Sequence, residues 1–266
     1  MQELRAKARQ LLESGTVKVV IGHRPGSAGR RRPLFARTAA EAETLVHDEE
    51  CWHNLAGYLT RPEARILGRA AVVARPAVLR SILQLAAEKQ LREEDLLALA
   101  VADGSVRELP TFAAIEQHVA TLPDTLHPFT QQALAQLAAM SPAERRDYWA
   151  AELSRCIKCY ACREACPMCY CERCTMDCNR PQWVPVASHA LGNLEYHLVR
   201  AMHLAGRCVQ CAACGRACPV GIPVHLLSTT SEQSVRRHFG QQAGTSTQLG
   251  YALSSFRPDD EEAFIR

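Results

Sequence analysis

The stretch RCIKCYACREACPMCYCERCTMDC, Arg155 to Cys178, carries eight cysteines in twenty-four residues. That density is far above what core packing uses, and thiols so close along a chain are poorly placed for disulfides with one another. A second run, RCVQCAACGRACPV from Arg207, agrees with RCIKCYACREACPM at eight of fourteen positions, and both follow CxxCxxCxxxCP. Twelve of the thirteen cysteines fall between Cys156 and Cys218, and only Cys51 precedes them.

The doubled run is the spacing by which dicluster ferredoxins hold two cubanes: three thiolates of a run wrap one cluster, and the fourth, before proline, reaches the other. Cys156, Cys159, Cys162 and Cys218 are therefore assigned to one 4Fe-4S cluster, and Cys208, Cys211, Cys214 and Cys166 to a second. Two zinc sites compete, since CxxC pairs also build zinc ribbons, but zinc needs neither a third cysteine in phase nor a following proline. Ile157, Val209, Ala161, Ala213, Ala165 and Ala217 are small or apolar, which lets backbone N–H groups approach sulfur while limiting water. Cys169, Cys171, Cys174 and Cys178 are left over. They read either as ligands of a third cluster or a zinc ion, with Cys51 replacing one of them, or as buried thiols lining the nearest cluster; the CxC pair must diverge sharply to reach one metal.

Working outward, Ser141 as N-cap, Pro142 at the first helical position and Glu144 three residues after the serine predict a helix that delivers the chain to Cys156. Between the runs, ALGNLEYHLVRAMHLAG places Leu191, Leu194, Leu198, Met202 and Leu204 at helical spacing and predicts a helix stopped by Gly206. His197 and His203 on it read as packing or surface residues, because eight cysteines already complete both clusters. Upstream, TVKVVIG, AAVVAR and LLALAVADG read as strands and AVLRSILQLAAEKQ as a helix, giving a βαβ unit and an α/β domain with a partly parallel sheet. Pro76 opens that helix, and the turn before it reads as structural rather than anion-binding. GRRRP, Gly29 to Pro33, reads as a solvated loop. The expected organisation is an α/β domain over 1–150, a helix-rich ferredoxin-like domain over 151–227, and a helix with an extended C-terminal tail over 228–266.

A net charge of +3 and 47% hydrophobic residues suit a globular chain and give no reason to expect nucleic acid as a partner. The start lacks the apolar core of a signal peptide, and no apolar run approaches a membrane span, so a cytoplasmic location without membrane insertion is expected. Thiol-reducing conditions there favour metal ligation over disulfides.

The stretch CIKCYACREACPMCYCERC with RPQW after it, then YHLVRAMHLAGRCVQCAACGRACPVGIPVHLL and the tail SSFRPDDEEAFIR, resembles the dicluster proteins related to the beta subunits of formate dehydrogenase and of deazaflavin-reducing hydrogenase. Upstream, VKVVIGHRPG, CWHNLAGYL and VVARPAVLRSILQLAAEKQLREEDLLAL are similar to the same family's α/β domain. The resemblance implies a non-catalytic electron-transfer subunit in a hetero-oligomer. Its implied partners are a formate-, hydrogen- or nicotinamide-oxidising module and a flavoprotein like the A subunit of heterodisulfide reductase. Full-length members bind FAD and a deazaflavin in the α/β region. Here Pro76, Ala77 and Val78 stand before Leu79 and Arg80 where the family commonly shows a Gly-Cys-Asp turn, so no stably bound FAD is expected; Cys178 is a further departure. Rival readings are a flavin-containing catalytic beta subunit, a helical ferredoxin like the C subunit of heterodisulfide reductase, and a zinc-dependent module. Phe256 and Phe264 in the acidic tail are read as a docking element for a partner subunit, against a loosely ordered terminus.

Overall fold

The computed structural model describes residues 1–248 apart from Asp103 and Asn179; the expected docking tail with Phe256 and Phe264 lies outside the described residues. The first half is a five-stranded sheet of β1 (Val19–Pro25), β2 (Arg31–Ala36), β3 (Ala70–Ala74), β4 (Leu96–Ala102) and β5 (Ser105–Leu109), in the order β2-β1-β3-β4-β5. The central β1, β3 and β4 run parallel, with Val20 beside Ala71 and Val72 beside Ala98. These are the three strands expected from the sequence. They read as unbroken apolar runs because both faces of a parallel sheet are covered; every residue of β3 is buried. The helix Pro76–Ala87 joins β3 to β4 and completes the βαβ unit.

The antiparallel outer strands were not legible. GRRRP, expected as a solvated loop, instead leads into and opens β2, with Pro33 opposite His23 and Arg31 opposite Pro25. An edge strand tolerates proline and charge because only one side is paired and only one face is buried. Leu34 and Ala36 supply the buried face of β2, while Arg31 Nε donates to Asp48 Oδ2 at 2.8 Å. β5 folds back on β4, pairing Ala102 with Ser105.

The core of the sheet continues into the cysteine-rich half. Met168 and Leu204 belong to the same buried cluster as Leu85 and Leu97, and Cys166, Cys169, Tyr170 and Cys208 pack against it. A polar joint seals this contact. Glu88 accepts from Arg207 Nε at 2.7 Å and Nη2 at 2.5 Å and from the Tyr170 hydroxyl at 2.7 Å, while Arg207 Nη2 also donates to the Met168 carbonyl at 3.3 Å. The guanidinium lies over the Tyr170 ring, 5.4 Å from its centroid.

A second core gathers Leu153, Tyr196, Val184, Ile222 and Val224 around Cys162 and Cys214. The helix Pro142–Ser154 feeds it, and both halves of the expected capping box are made: Glu144 N donates to Ser141 Oγ at 3.3 Å and Ser141 N to Glu144 Oε2 at 2.8 Å. The helix Ala190–His203 crosses between the two runs; of the expected apolar stripe, Leu204 enters the sheet core and Leu194 packs on the second core, while Leu191, Leu198 and Met202 are exposed. The helix His225–Phe239 is the last helix among the described residues and ends on Gly240 at φ 67°, a left-handed C-terminus that glycine adopts without strain. Among the described residues no helix is long and apolar enough to cross a membrane.

Candidate metal centre

Each cysteine run makes the same turn into a four-residue helix, Ala161–Glu164 in the first and Ala213–Arg216 in the second, and the two short helices pack on one another. Tyr160 (φ 58°, ψ 9°) and Ala212 (φ 57°, ψ 8°) precede them in nearly identical left-handed conformations. Lys158 and Gln210, two residues earlier, are also left-handed, at φ 49° and 58°. For residues bearing a Cβ this conformation costs about 1–2 kcal/mol each, and equivalent positions in both runs carry it. The geometry turns backbone donors onto sulfur: Lys158 N lies 3.3 Å from Cys156 Sγ, Gln210 N 3.4 Å from Cys208 Sγ, and Ile222 N 3.3 Å from Cys218 Sγ. Such alternating backbone forms the concave N–H nests that receive anions and iron–sulfur groups.

The thiols collect across the runs. Cys156 is in electrostatic contact with Cys162, Cys159 and Cys218, while Cys166, Cys208, Cys211 and Cys214 line one cavity with His225. Burial pushes the Cys208 thiol well above its ordinary value and Cys214 up to about 11. A thiolate at either position thus requires a cation to replace the proton, which is how metal ligation couples to pKa. Sulfurs grouped in fours, N–H donors aimed at them and an interior that disfavours bare thiolates all fit two cubanes. Among the described residues no three His, Cys, Asp or Glu side chains converge as ligands of a single ion; the two sets of four are looser groupings.

The other five cysteines stand in separate surroundings, and no three of them gather. Cys51 is buried in the first half, where Sγ contacts Asp48 N at 3.5 Å, Asp48 Oδ1 at 3.6 Å and the Val46 carbonyl at 3.7 Å; burial pushes its pKa up to about 11. Cys169 packs against the sheet core beside Cys166, to whose carbonyl its backbone N–H donates at 3.1 Å, and that neighbour together with burial favours its thiol form. That contact favours the reading of Cys169 as a thiol lining the neighbouring set. Cys174 packs against the second core, Cys171 is exposed, and Cys178 Sγ donates to the Arg180 carbonyl at 3.7 Å.

The helix Ala190–His203 contributes residues that sequence reasoning missed. Asn193 Nδ2 donates to the carbonyls of Leu153 at 3.2 Å and Cys156 at 2.8 Å. The Tyr196 hydroxyl lies 3.6 Å from Cys162 Sγ, and Arg200 Nη2 donates to the Cys162 carbonyl at 2.9 Å. The signal was a second stripe, 193, 196, 197 and 200, at helical spacing beside the leucines. His197 is buried, as expected of a packing histidine, and burial pushes it down to about 4; His203 is exposed.

His225 lies over Gly215: a Cβ there would meet His225 Nδ1 at 2.2 Å. Gly215→Ala is therefore expected to displace the imidazole and to cost about 1–3 kcal/mol, as overpacking does, read by denaturant unfolding of the wild type and variant. Cys218 also lines a cleft of about 1180 Å³ with Arg30, Arg31, Trp52, Arg75 and Arg216, giving the first set an open approach from solvent.

Comparison with known proteins finds similarity to the "F420-dependent formate dehydrogenase subunit beta" of Methanocaldococcus jannaschii, 30% identical over 105 residues, covering 39% of this chain and 26% of that protein. The "F420-dependent formate dehydrogenase 1 subunit beta" of Methanococcus maripaludis is 31% identical over 110 residues, covering 41% of this chain and 28% of that protein. The similarity thus spans about a quarter of each relative's length. No protein-family model matches the chain.

Proposed function

We propose that this chain is an iron–sulfur electron-transfer subunit of an oxidoreductase complex of the formate dehydrogenase kind. The observation that carries this reading is the repeated pair of left-handed positions, Lys158 with Tyr160 and Gln210 with Ala212, which aims backbone N–H groups at cysteine sulfur in both runs. Cys156, Cys159, Cys162 and Cys218 would hold one 4Fe-4S cluster, and Cys208, Cys211, Cys214 and Cys166 the other. Such clusters, when bound, take up and release single electrons. The chain's own residues bury Cys162 and Cys214, direct N–H groups to Cys156, Cys208 and Cys218, and leave the Cys218 side open to a cleft from which a partner's redox centre can be approached. In the finer form of the proposal, the donor is a formate-, hydrogen- or nicotinamide-oxidising module and the acceptor a flavoprotein resembling the A subunit of heterodisulfide reductase.

Iron, sulfide, zinc and flavin analysis of anaerobically purified protein, with low-temperature EPR after dithionite reduction, tests this. About eight irons per chain, with the signals of two interacting cubanes, is the expected outcome. Zinc without iron overturns the reading, and stoichiometric FAD replaces a pure relay with a flavin-dependent catalyst. About twelve irons would extend the relay to a third cluster held by the CYCERC segment.

A further inference from the structure

We infer that Arg200 is a shared buried counter-charge, seated between the two cysteine sets, that raises the reduction potentials of both centres. The inference rests on the proposal that these sets hold clusters.

Arginine is almost never fully buried unless paired, yet Arg200 is 4% exposed and has no carboxylate partner among the described residues. Arg163 and Arg207, by contrast, are paired with Asp177 and Glu88, while Lys158, also buried, donates to the Pro185 carbonyl. Arg200 Nη2 donates to the Cys162 carbonyl at 2.9 Å, and Nε has no hydrogen-bond partner among the described residues. The groups that balance its charge are sulfurs. The charged side chain lies within electrostatic reach of the sulfurs of Cys214, Cys166, Cys169 and Cys162. Cys162 belongs to the first set, Cys214 and Cys166 to the second. A guanidinium keeps its charge at any working pH, so this is a fixed cation.

A cubane held by four thiolates is an anion that becomes more negative on reduction, so a fixed cation nearby favours the reduced form. Placed between two such centres, it also screens the repulsion that the second electron meets from the first. Arg200 is a positioning residue: it acts on the centres through charge and through the Cys162 carbonyl.

The test is an EPR-monitored redox titration of the full chain as wild type, Arg200→Gln and Arg200→Lys, with iron counted in each. In Arg200→Gln both midpoints should fall, the reduced-to-oxidised ratio at the wild-type midpoints dropping at least tenfold, which is 59 mV for a one-electron couple. Arg200→Lys, which keeps the charge, should restore most of this. Loss of iron from Gln but not from Lys supports the inference equally, since charge then decides whether the anions are held. Unchanged potentials in a fully loaded Arg200→Gln protein, a shift in one centre alone, or loss of iron from both variants overturns it. A wild-type protein without iron sinks the reading beneath it instead.

Discussion

Alanine at Cys166 is expected to remove the centre built on the second run, and alanine at Cys218 the centre built on the first. Each change should lower iron from about eight to about four per chain. Cys166 shares a cavity with Cys208, Cys211 and Cys214, whereas Cys218 lies within electrostatic reach of Cys156. The reduced EPR spectrum of Cys166→Ala should therefore match that of Cys208→Ala, and Cys218→Ala that of Cys156→Ala, with the two pairs complementary. If each run were self-sufficient, Cys166→Ala would match Cys156→Ala, and the crossed assignment would be wrong. Loss of all iron from every variant would show that neither centre survives without the other.

The second large effect belongs to the joint between the sheet and the cysteine-rich half. Glu88→Ala leaves Arg207 half-buried without its carboxylate and the Tyr170 hydroxyl without its acceptor. Breaking a buried pair from one side costs about 3–5 kcal/mol, so a large fall in the urea midpoint is expected with little change in slope. A drop under about 1 kcal/mol would place the joint with surface ion pairs. Burial opposes ionisation of Glu88, but the bonds from Arg207, Gln84 and Tyr170 outweigh it and lower its pKa. A carboxylate with a lowered folded pKa stabilises at pH above its unfolded value, and that stabilisation is lost as pH falls through the folded value. The gap between wild type and Glu88→Ala should therefore be full at neutral pH and close on acidification below the ordinary glutamate range. Replacing both partners by leucine at 88 and methionine at 207 should cost less than Glu88→Ala alone.

The parts of this protein written in local sequence were readable. The capping box Ser141–Glu144 is a four-residue signal, and the apolar runs of β1, β3 and β4 announce strands covered on both faces. The crossover helix opening at Pro76 followed from the same pattern. What escaped was decided by tertiary surroundings. Arg31 and Pro33 look like loop residues until an edge position next to Asp48 makes them affordable in a strand. In Ala190–His203 hydrophobic spacing named only part of the buried face, because a cysteine-lined interior takes hydrogen-bond donors such as Asn193, Tyr196 and Arg200 and leaves Leu191, Leu198 and Met202 exposed. The left-handed positions were invisible for a different reason: Lys158, Tyr160, Gln210 and Ala212 carry no glycine signal, and only the repeat as a whole explains their backbone. The thirteen cysteines gave the number and spacing of donors but not their company. Cys51, which sequence left available to a distant metal, is closed in against Asp48 and Val46.

The meeting of Cys166 with the second run sets the order in which the protein can mature. While the chain is being synthesised, Cys166 emerges well before Cys208, and the thiol that faces Cys156 comes last of all, at Cys218. On the proposed assignment, a nascent chain halted after the helix Ala190–His203 offers neither set of four, so iron would have no complete destination until translation has passed Cys214. The second destination would then follow within four residues, at Cys218, so a product truncated before Cys214 would be metal-free rather than half-loaded.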